Sequence, residues 1–200
     1  MSLSGVLFRV LLSVLGSIPY PILYRTGKLL SFLISVFPNK HKNITTVNLG
    51  VVFKDKTIEE RRELLKKSLF HSSMNFLESG IVWNKKNFKK IEANIDIFNV
   101  EAVNNSLRSD RGVLLITPHL GNIEVIINYL GSEFDCTIPY TKPKNSTLDK
   151  VITESRNSLG VNMVNIDSSG IKQILSTLKN NKLVTIASDQ VPKEGSGIVS

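Results

Sequence analysis

Residues 113–131 read VLLITPHLGNIEVIINYLG, and this stretch indicates the fold class. Its first five residues are apolar or β-branched, which is typical of a buried strand, and the segment 122–131 has the spacing of a helix that ends at Gly131. A buried strand that passes through a short turn into a helix is the repeating unit of an α/β protein. We therefore expect the same alternation in the residues that follow.

The alternation continues along the second half of the chain. Further strands are predicted at CTIPY (136–140), VNMVNI (161–166) and LVTIAS (183–188), with helices at 147–160 and 169–181. We expect an α/β fold with a mostly parallel sheet flanked by helices. Such sheets place their sites at the carboxyl ends of the strands, where this chain carries His119, the segment 142–145 and the pair Asp189-Gln190.

The N-terminal segment 3–37 is strongly apolar and contains only three charged residues, all of them basic. A single membrane-spanning helix needs about 20 apolar residues, and Pro19 and Pro21 interrupt the segment near its middle. A cleaved signal peptide is the alternative, but a second apolar stretch follows at once without a clear small-residue cleavage site. We therefore expect residues 1–38 to form two interfacial or partly inserted helices that anchor the protein to a membrane.

Two further parts of the chain are expected. Thr57 followed by Glu60 matches a capping box and predicts a helix from residue 58 to about residue 83. Residues 39–94 are therefore expected to form a helical N-terminal part, and residues 95–200 the α/β catalytic core. The sequence ends in EGSGIVS, whose last three residues resemble the start of another strand, so we expect the core to be incomplete at its C-terminus.

Basic residues are concentrated in the first half of the chain. Residues 1–100 contain 15 Lys and Arg against 7 Asp and Glu, whereas residues 101–200 contain 10 of each. Basic residues among aliphatic side chains favour a surface of anionic lipid headgroups, where each cation contributes about 1 kcal/mol. A basic chain also suggests nucleic acid, but these cations accompany a hydrophobic segment instead of a polar groove-reading helix. We expect a membrane as partner and no nucleic acid.

Cysteine and histidine are too sparse for a metal centre. The only cysteine, Cys136, excludes an intrachain disulfide and a zinc site made of several cysteines, and its strand-like surroundings predict a core position. The histidines outside the 113–131 segment, His41 and His71, lie in segments without ligand spacing. We expect no bound metal.

His119 and Glu124 are the candidate catalytic pair. His119 follows Pro118 and is expected in the turn, whereas Glu124 falls in the first turn of the helix, and Gly121 permits the tight backbone between them. A carboxylate on one imidazole nitrogen raises the basicity of the other, as deprotonation of a hydroxyl requires. An ordinary turn histidine followed by an acid that the helix dipole favours is the alternative. The chain has no GxSxG elbow, so direct attack by an activated hydroxyl on an acyl donor is favoured over a covalent acyl-enzyme.

Three ordered motifs resemble a known family. HLGNIE, after the strand VLLIT, resembles the H-x4-D/E box of the glycerolipid acyltransferase superfamily, and its fuller form H-x-G-N-x-E resembles the lipid A biosynthesis (lauroyl/myristoyl) acyltransferase family. YTKPKNSTLDKVITESRNSLG is similar to that family's Y-x-x-x-x-N-x-x-L-D…R…G segment. GIKQILSTLKNNKLVTIASDQ is similar to its G-x-x-x-x-L-x-x-L-K-x-G…DQ segment. The hydrophobic N-terminus and the stretch VNLGVVF also resemble the membrane-anchored start of that family, so the likeness covers nearly the whole chain.

The resemblance implies a role for each matched residue. His119 would be the general base that deprotonates the acceptor hydroxyl. Glu124 would orient the His119 ring and stabilise its charge. Arg156 would grip a phosphate, and Asp189 would support the site by hydrogen bonding. The substrate-binding residues that the resemblance implies are Arg156, Asp189, Asn122 and Asn145.

The implied reaction transfers a fatty acyl group from acyl carrier protein to a hydroxyl of a lipid A precursor. It would take place at the cytoplasmic face of a bacterial inner membrane, with no metal or organic cofactor beyond the thioester donor. Two alternatives stay open at this point. One is a glycerol-phosphate or lysophospholipid acyltransferase that uses acyl-CoA, and the other is a non-catalytic membrane-associated lipid-binding protein.

Overall fold

The computed structural model of the chain describes residues 3–93, 95–143 and 145–189. The chain divides into two compact units. One is a helical unit of Val6–Asn87, and the other runs from Phe88, includes the first residues of the chain and contains the sheet. The expected three-part division at residues 38 and 94 stays a prediction.

The first four helices lie in or begin just before the helical unit: α1 (Leu3–Ser17), α2 (Tyr20–Val36), α3 (Lys40–Val52) and α4 (Ile58–Val82). Both α2 and α3 pack against α4. The expected capping box begins α4, since the Thr57 hydroxyl accepts from the Glu60 N–H and the Glu60 carboxylate accepts from the Thr57 N–H at 2.8 Å. Helix α3 was not predicted; the Asn39 side chain caps it by accepting from the Lys42 N–H at 2.9 Å.

The break between α1 and α2 falls at Pro19, because proline lacks the N–H that a continuing helix needs. Within the described residues, no helix by itself is long and apolar enough to cross a bilayer. The segments Gly5–Ser17 and Tyr20–Val36 meet that criterion only together, as a pair bent by 118°, and on length and composition alone.

Helix α5 (Lys85–Glu92) begins in the last residues of the helical unit. The α/β elements come after it: α6 (Val100–Arg108), β1 (Val113–Thr117), α7 (Ile123–Glu133), β2 (Cys136–Tyr140), α8 (Ser146–Ser158), β3 (Asn162–Asn165), α9 (Ser168–Lys179) and β4 (Leu183–Ala187). The four strands form one sheet in the order β1-β4-β2-β3, and every pair is parallel. The predicted α/β class and parallel sheet are confirmed. Helix α7 extends two residues beyond the expected end at Gly131. The strand predicted at 198–200 lies outside the described residues.

One hydrophobic cluster of the α/β unit lies between α7 and one face of the sheet. Cys136 is fully buried there, as predicted, and burial raises the pKa of its thiol. It packs with apolar side chains of α7 and of strands β2 and β4: Ile127, Leu130, Ile138 and Leu183. This packing fixes α7 against the sheet, and therefore fixes the turn between β1 and α7 that carries His119.

Candidate active site

The neighbouring strands β1 and β4 bring His119 and Asp189 together. Their parallel register pairs Thr117, the last residue of β1, with Ala187, the last residue of β4. His119 and Asp189 each lie two residues beyond these ends, so the register places them side by side at the carboxyl edge of the sheet. The edge predicted from the sequence is therefore where the two residues meet.

The Asp189 carboxylate contacts His119 twice. One oxygen lies 2.7 Å from the imidazole Nδ1, and the other accepts from the His119 backbone N–H at 2.8 Å. These hydrogen bonds lower the pKa of Asp189, the side-chain bond contributing most, so the carboxyl is ionised at neutral pH. An ionised carboxylate can only accept a hydrogen bond, so Nδ1 carries the proton and donates the hydrogen bond to Asp189, which leaves the lone pair of the neutral imidazole on Nε2. Both side chains are about two-fifths exposed and accessible to a ligand.

Glu124 does not pair with His119 in the structure, which corrects the expectation from sequence spacing. It lies in the first turn of α7 and directs both carboxylate oxygens to Arg156, at 2.6 Å from Nη2 and 3.2 Å from Nε. Both side chains are nearly buried, with exposed fractions of 12% and 11%. Because a buried guanidinium requires an anion, Glu124 pairs with Arg156. The partner of His119 is instead Asp189, which follows β4.

Arg156 is fixed on several sides. It lies in the last turn of α8, its guanidinium carbon is 5.5 Å from the centre of the Tyr140 ring, and Nη1 lies 3.9 Å from the Met163 sulfur. The donors that would form a bidentate grip on phosphate already bind Glu124. A direct role of Arg156 in substrate binding stays a prediction.

Tyr140 and Asp149 belong to the same network and were not predicted as site residues. The Tyr140 hydroxyl donates to the Asp149 carboxylate at 3.0 Å. Burial, and then the hydrogen bond and charge of Asp149, raise the pKa of Tyr140 to about 12, so it stays protonated at neutral pH. The sequence did contain a signal for this contact, because Tyr140 and Asp149 are both matched positions of the family-like segment YTKPKNSTLDKVITESRNSLG.

The two predicted asparagines begin helices. Asn122 caps α7 and accepts from the Glu124 N–H at 3.3 Å. Asn145 caps α8 and accepts from two N–H groups, at 2.9 and 3.1 Å. Capping explains why asparagine suits both positions, and contact with substrate stays a prediction. Gly121 has a φ of +65°, the left-handed conformation expected for the turn between His119 and α7.

A cavity of about 300 Å³ adjoins these residues and is named here the cleft. One part of its lining is polar and comprises Thr117, His119, Tyr140, Thr141, Arg156 and Thr185. The other part is aliphatic and comprises Ile123, Ile126, Ile127, Ile138, Pro139, Ile166, Ile186 and Ala187. His119 thus lies in the polar part of a cavity whose other part is hydrocarbon, which suits a ligand with one reactive polar group and an alkyl chain.

The titratable side chains of the cleft favour proton transfer. A histidine with one nitrogen bound to a carboxylate can take a proton from a hydroxyl. Within the described residues, no three His, Cys, Asp or Glu side chains lie close enough together to bind a metal ion. The expectation that the reaction needs no metal or organic cofactor stays a prediction.

Comparison with known proteins gives a consistent family. The model of the family described as bacterial lipid A biosynthesis acyltransferase matches residues 4–199. A lipid A biosynthesis lauroyltransferase of Escherichia coli K12 is 26% identical over 185 residues, which are 92% of this chain and 58% of the relative. A lipid A biosynthesis palmitoleoyltransferase of the same organism is 22% identical over 173 residues, or 86% of this chain and 56% of the relative. The chain thus spans slightly more than half the length of these relatives.

Proposed function

The chain belongs to the bacterial lipid A biosynthesis acyltransferase family, and on that premise we propose that its protein transfers a fatty acyl group to a hydroxyl of a lipid A precursor. The observation that carries the proposal is the pair of His119 and Asp189 on the polar side of a cleft whose other side is aliphatic. The donor in this proposal is a fatty acyl thioester of acyl carrier protein.

His119 acts as general base in the proposed mechanism. Asp189 holds the proton on Nδ1, and Nε2 takes the proton of the acceptor hydroxyl as its oxygen attacks the thioester carbonyl. The tetrahedral intermediate then collapses, the carbon–sulfur bond breaks, and the departing thiolate receives the proton from Nε2. The hydroxyl becomes an ester, the thioester becomes a thiol, and His119 returns to its first state.

The aliphatic wall of the cleft is proposed to bind the acyl chain. Isoleucines from α7, β2 and β4 line this wall, and the hydrophobic core holds these elements in place. A hydrocarbon chain that binds there would be removed from water. Each buried methylene contributes about 0.8 kcal/mol, so several methylenes in the cleft give substantial binding. His119 lines the same cavity, so an acyl group bound there has its carbonyl end near the base.

Glu124, Arg156 and Tyr140 are proposed as positioning residues. The ion pair joins the first turn of α7 to the last turn of α8, and Tyr140 connects the end of β2 to the first turn of α8. The pair therefore fixes the helix that follows the His119 turn. This assignment replaces the direct pairing of Glu124 with His119 that the sequence suggested.

The test of the proposed function varies donor and acceptor separately. Purified protein is incubated with an acyl thioester of acyl carrier protein or of coenzyme A, and with a lipid A precursor or a lysophospholipid. We expect the fastest transfer from the carrier protein to the lipid A precursor. Preferential use of acyl-CoA with the lysophospholipid would contradict the proposal, and so would the absence of transfer to every acceptor.

Membrane association is proposed for the helical unit, at the cytoplasmic face of a bacterial inner membrane. Helix α2 exposes an apolar stripe at helical spacing, formed by Leu29, Phe32, Leu33 and Val36, whose exposed fractions are 42–61%. The first 50 residues contain no acidic side chain, which suits an anionic headgroup surface. A helix with such a face binds in the interfacial region of a bilayer.

We expect Phe32→Glu to weaken vesicle binding by at least about tenfold, since burying a phenylalanine contributes about 1.5–3 kcal/mol. Sedimentation with vesicles of phosphatidylglycerol and phosphatidylethanolamine measures the effect. Phe98→Glu is the matched control, because Phe98 is 81% exposed but lies in the other unit. Equal losses in the two variants would contradict the proposal that α2 forms the membrane-binding face.

A further inference from the structure

A second cavity, of about 390 Å³, lies between α3 and α4 in the helical unit and is named here the α3–α4 groove. Its lining is partly apolar, from Leu49, Ile58 and Leu65, and Gly50 contributes no side chain. Arg61 and Arg62 supply its positive charge. The groove and the proposed catalytic cleft are formed by different residues.

Arg61 is half-buried in this groove, and the described residues provide its guanidinium with neither a hydrogen-bond acceptor nor an ion-pair partner. The contrast with Arg156 is informative, because that buried guanidinium has Glu124 at 2.6 Å. A partly desolvated cation beside apolar side chains gains most from an anion that binds next to it. The groove therefore has room and charge for an anionic group from outside the described chain.

The surroundings of the groove favour a lipid over a polar anion. On the exposed side of α3, Ile44, Val47 and Val51 form an apolar stripe with exposed fractions of 48–64%. Leu49 and Leu65 offer hydrocarbon walls inside the groove itself. A ligand that matches both features carries an anionic headgroup and an alkyl chain.

We propose that the α3–α4 groove binds one acidic phospholipid, with its phosphate at Arg61 and an acyl chain along Leu49 and Leu65. The inference builds on the proposed membrane association, because a bilayer is the source of this lipid. Membrane association alone needs only a general attraction between a basic surface and anionic headgroups. The groove would in addition bind one lipid molecule at a defined site.

The experiment uses a lipid that binds without a membrane, so that the two proposals are separable. Binding of monomeric dihexanoyl phosphatidylglycerol to the whole protein, below its micelle concentration, is measured by calorimetry. We expect dihexanoyl phosphatidylcholine to bind more weakly and inorganic phosphate at equal concentration not to compete. Arg61→Gln should weaken binding of the acidic lipid about tenfold, the usual contribution of a charge-assisted hydrogen bond.

A second variant tests the groove by its shape. A Cβ at Gly50 would meet only the Arg61 guanidinium, at 3.9 Å, so Gly50→Leu fits the helix and its side chain fills the groove. We expect it to weaken lipid binding with the fold unchanged. Lys67→Gln is the control, since it removes the same charge from an exposed position on the same helix.

Three results would overturn the proposal: equal binding by Arg61→Gln and wild type, full competition by inorganic phosphate, or equal losses in Arg61→Gln and Lys67→Gln. Failure of the wild type to bind vesicles, with lipid binding in the groove retained, would instead contradict the membrane proposal alone. Vesicle binding without any binding of the monomeric lipid would contradict the groove alone.

Discussion

Replacing His119 with alanine is expected to slow acyl transfer by about 10²–10⁴-fold, the usual contribution of a positioned general base. The variant removes the only ring nitrogen that the described cleft offers as a base, while the hydrocarbon wall and the buried ion pair stay in place. Binding of the acyl donor should therefore change little. Initial rates with acyl carrier protein thioester and a lipid A precursor measure the effect.

His71→Ala is the matched control for this prediction. His71 is exposed on α4 in the helical unit, so its loss should leave the rate unchanged. Circular dichroism of both variants checks that each one folds. A rate for His119→Ala near that of the wild type would exclude His119 as the base.

Removing Arg156 is expected to give the largest loss of stability. Arg156→Met leaves the Glu124 carboxylate nearly buried without its partner, and breaking such a pair costs about 3–5 kcal/mol. The substitution also removes the cation from the face of the Tyr140 ring. Urea unfolding followed by circular dichroism measures the change in the free energy of unfolding.

A double variant separates the pair from its packing. Glu124→Leu together with Arg156→Met replaces both charges by apolar groups, and such replacements of buried pairs are often neutral or stabilising. We expect the double variant to be more stable than Arg156→Met alone. A free energy of unfolding for Arg156→Met within about 0.5 kcal/mol of wild type would show that the pair is not buried in solution.

The strands and helices of the α/β unit were predictable because their signals are local. VLLIT, CTIPY and LVTIA are short apolar runs between turn residues, and each is a strand at the predicted place. Thr57 and Glu60 similarly fixed the start of α4. Helix α3 was missed because its polar residues and weak apolar periodicity look like a loop, and its packing on α4 is a tertiary effect.

The partners within the site were less predictable, because they depend on the order of strands in the sheet. The spacing of five residues between His119 and Glu124 predicted that these two side chains would pair. Asp189 stands 70 residues away and becomes the partner only because β4 pairs with β1 in the register that joins Thr117 to Ala187. Nothing local to either strand specifies that neighbour.

The central claim is that His119 and Asp189 act as one unit in acyl transfer, and a double-mutant cycle on the transfer rate tests it most directly. We expect Asp189→Asn to slow the reaction about a hundredfold or more, because the amide no longer stabilises the required tautomer of His119. In the His119→Ala background the same substitution should have little further effect, because the two residues would act together. Equal effects of Asp189→Asn in both backgrounds, or a wild-type rate for Asp189→Asn alone, would contradict the account.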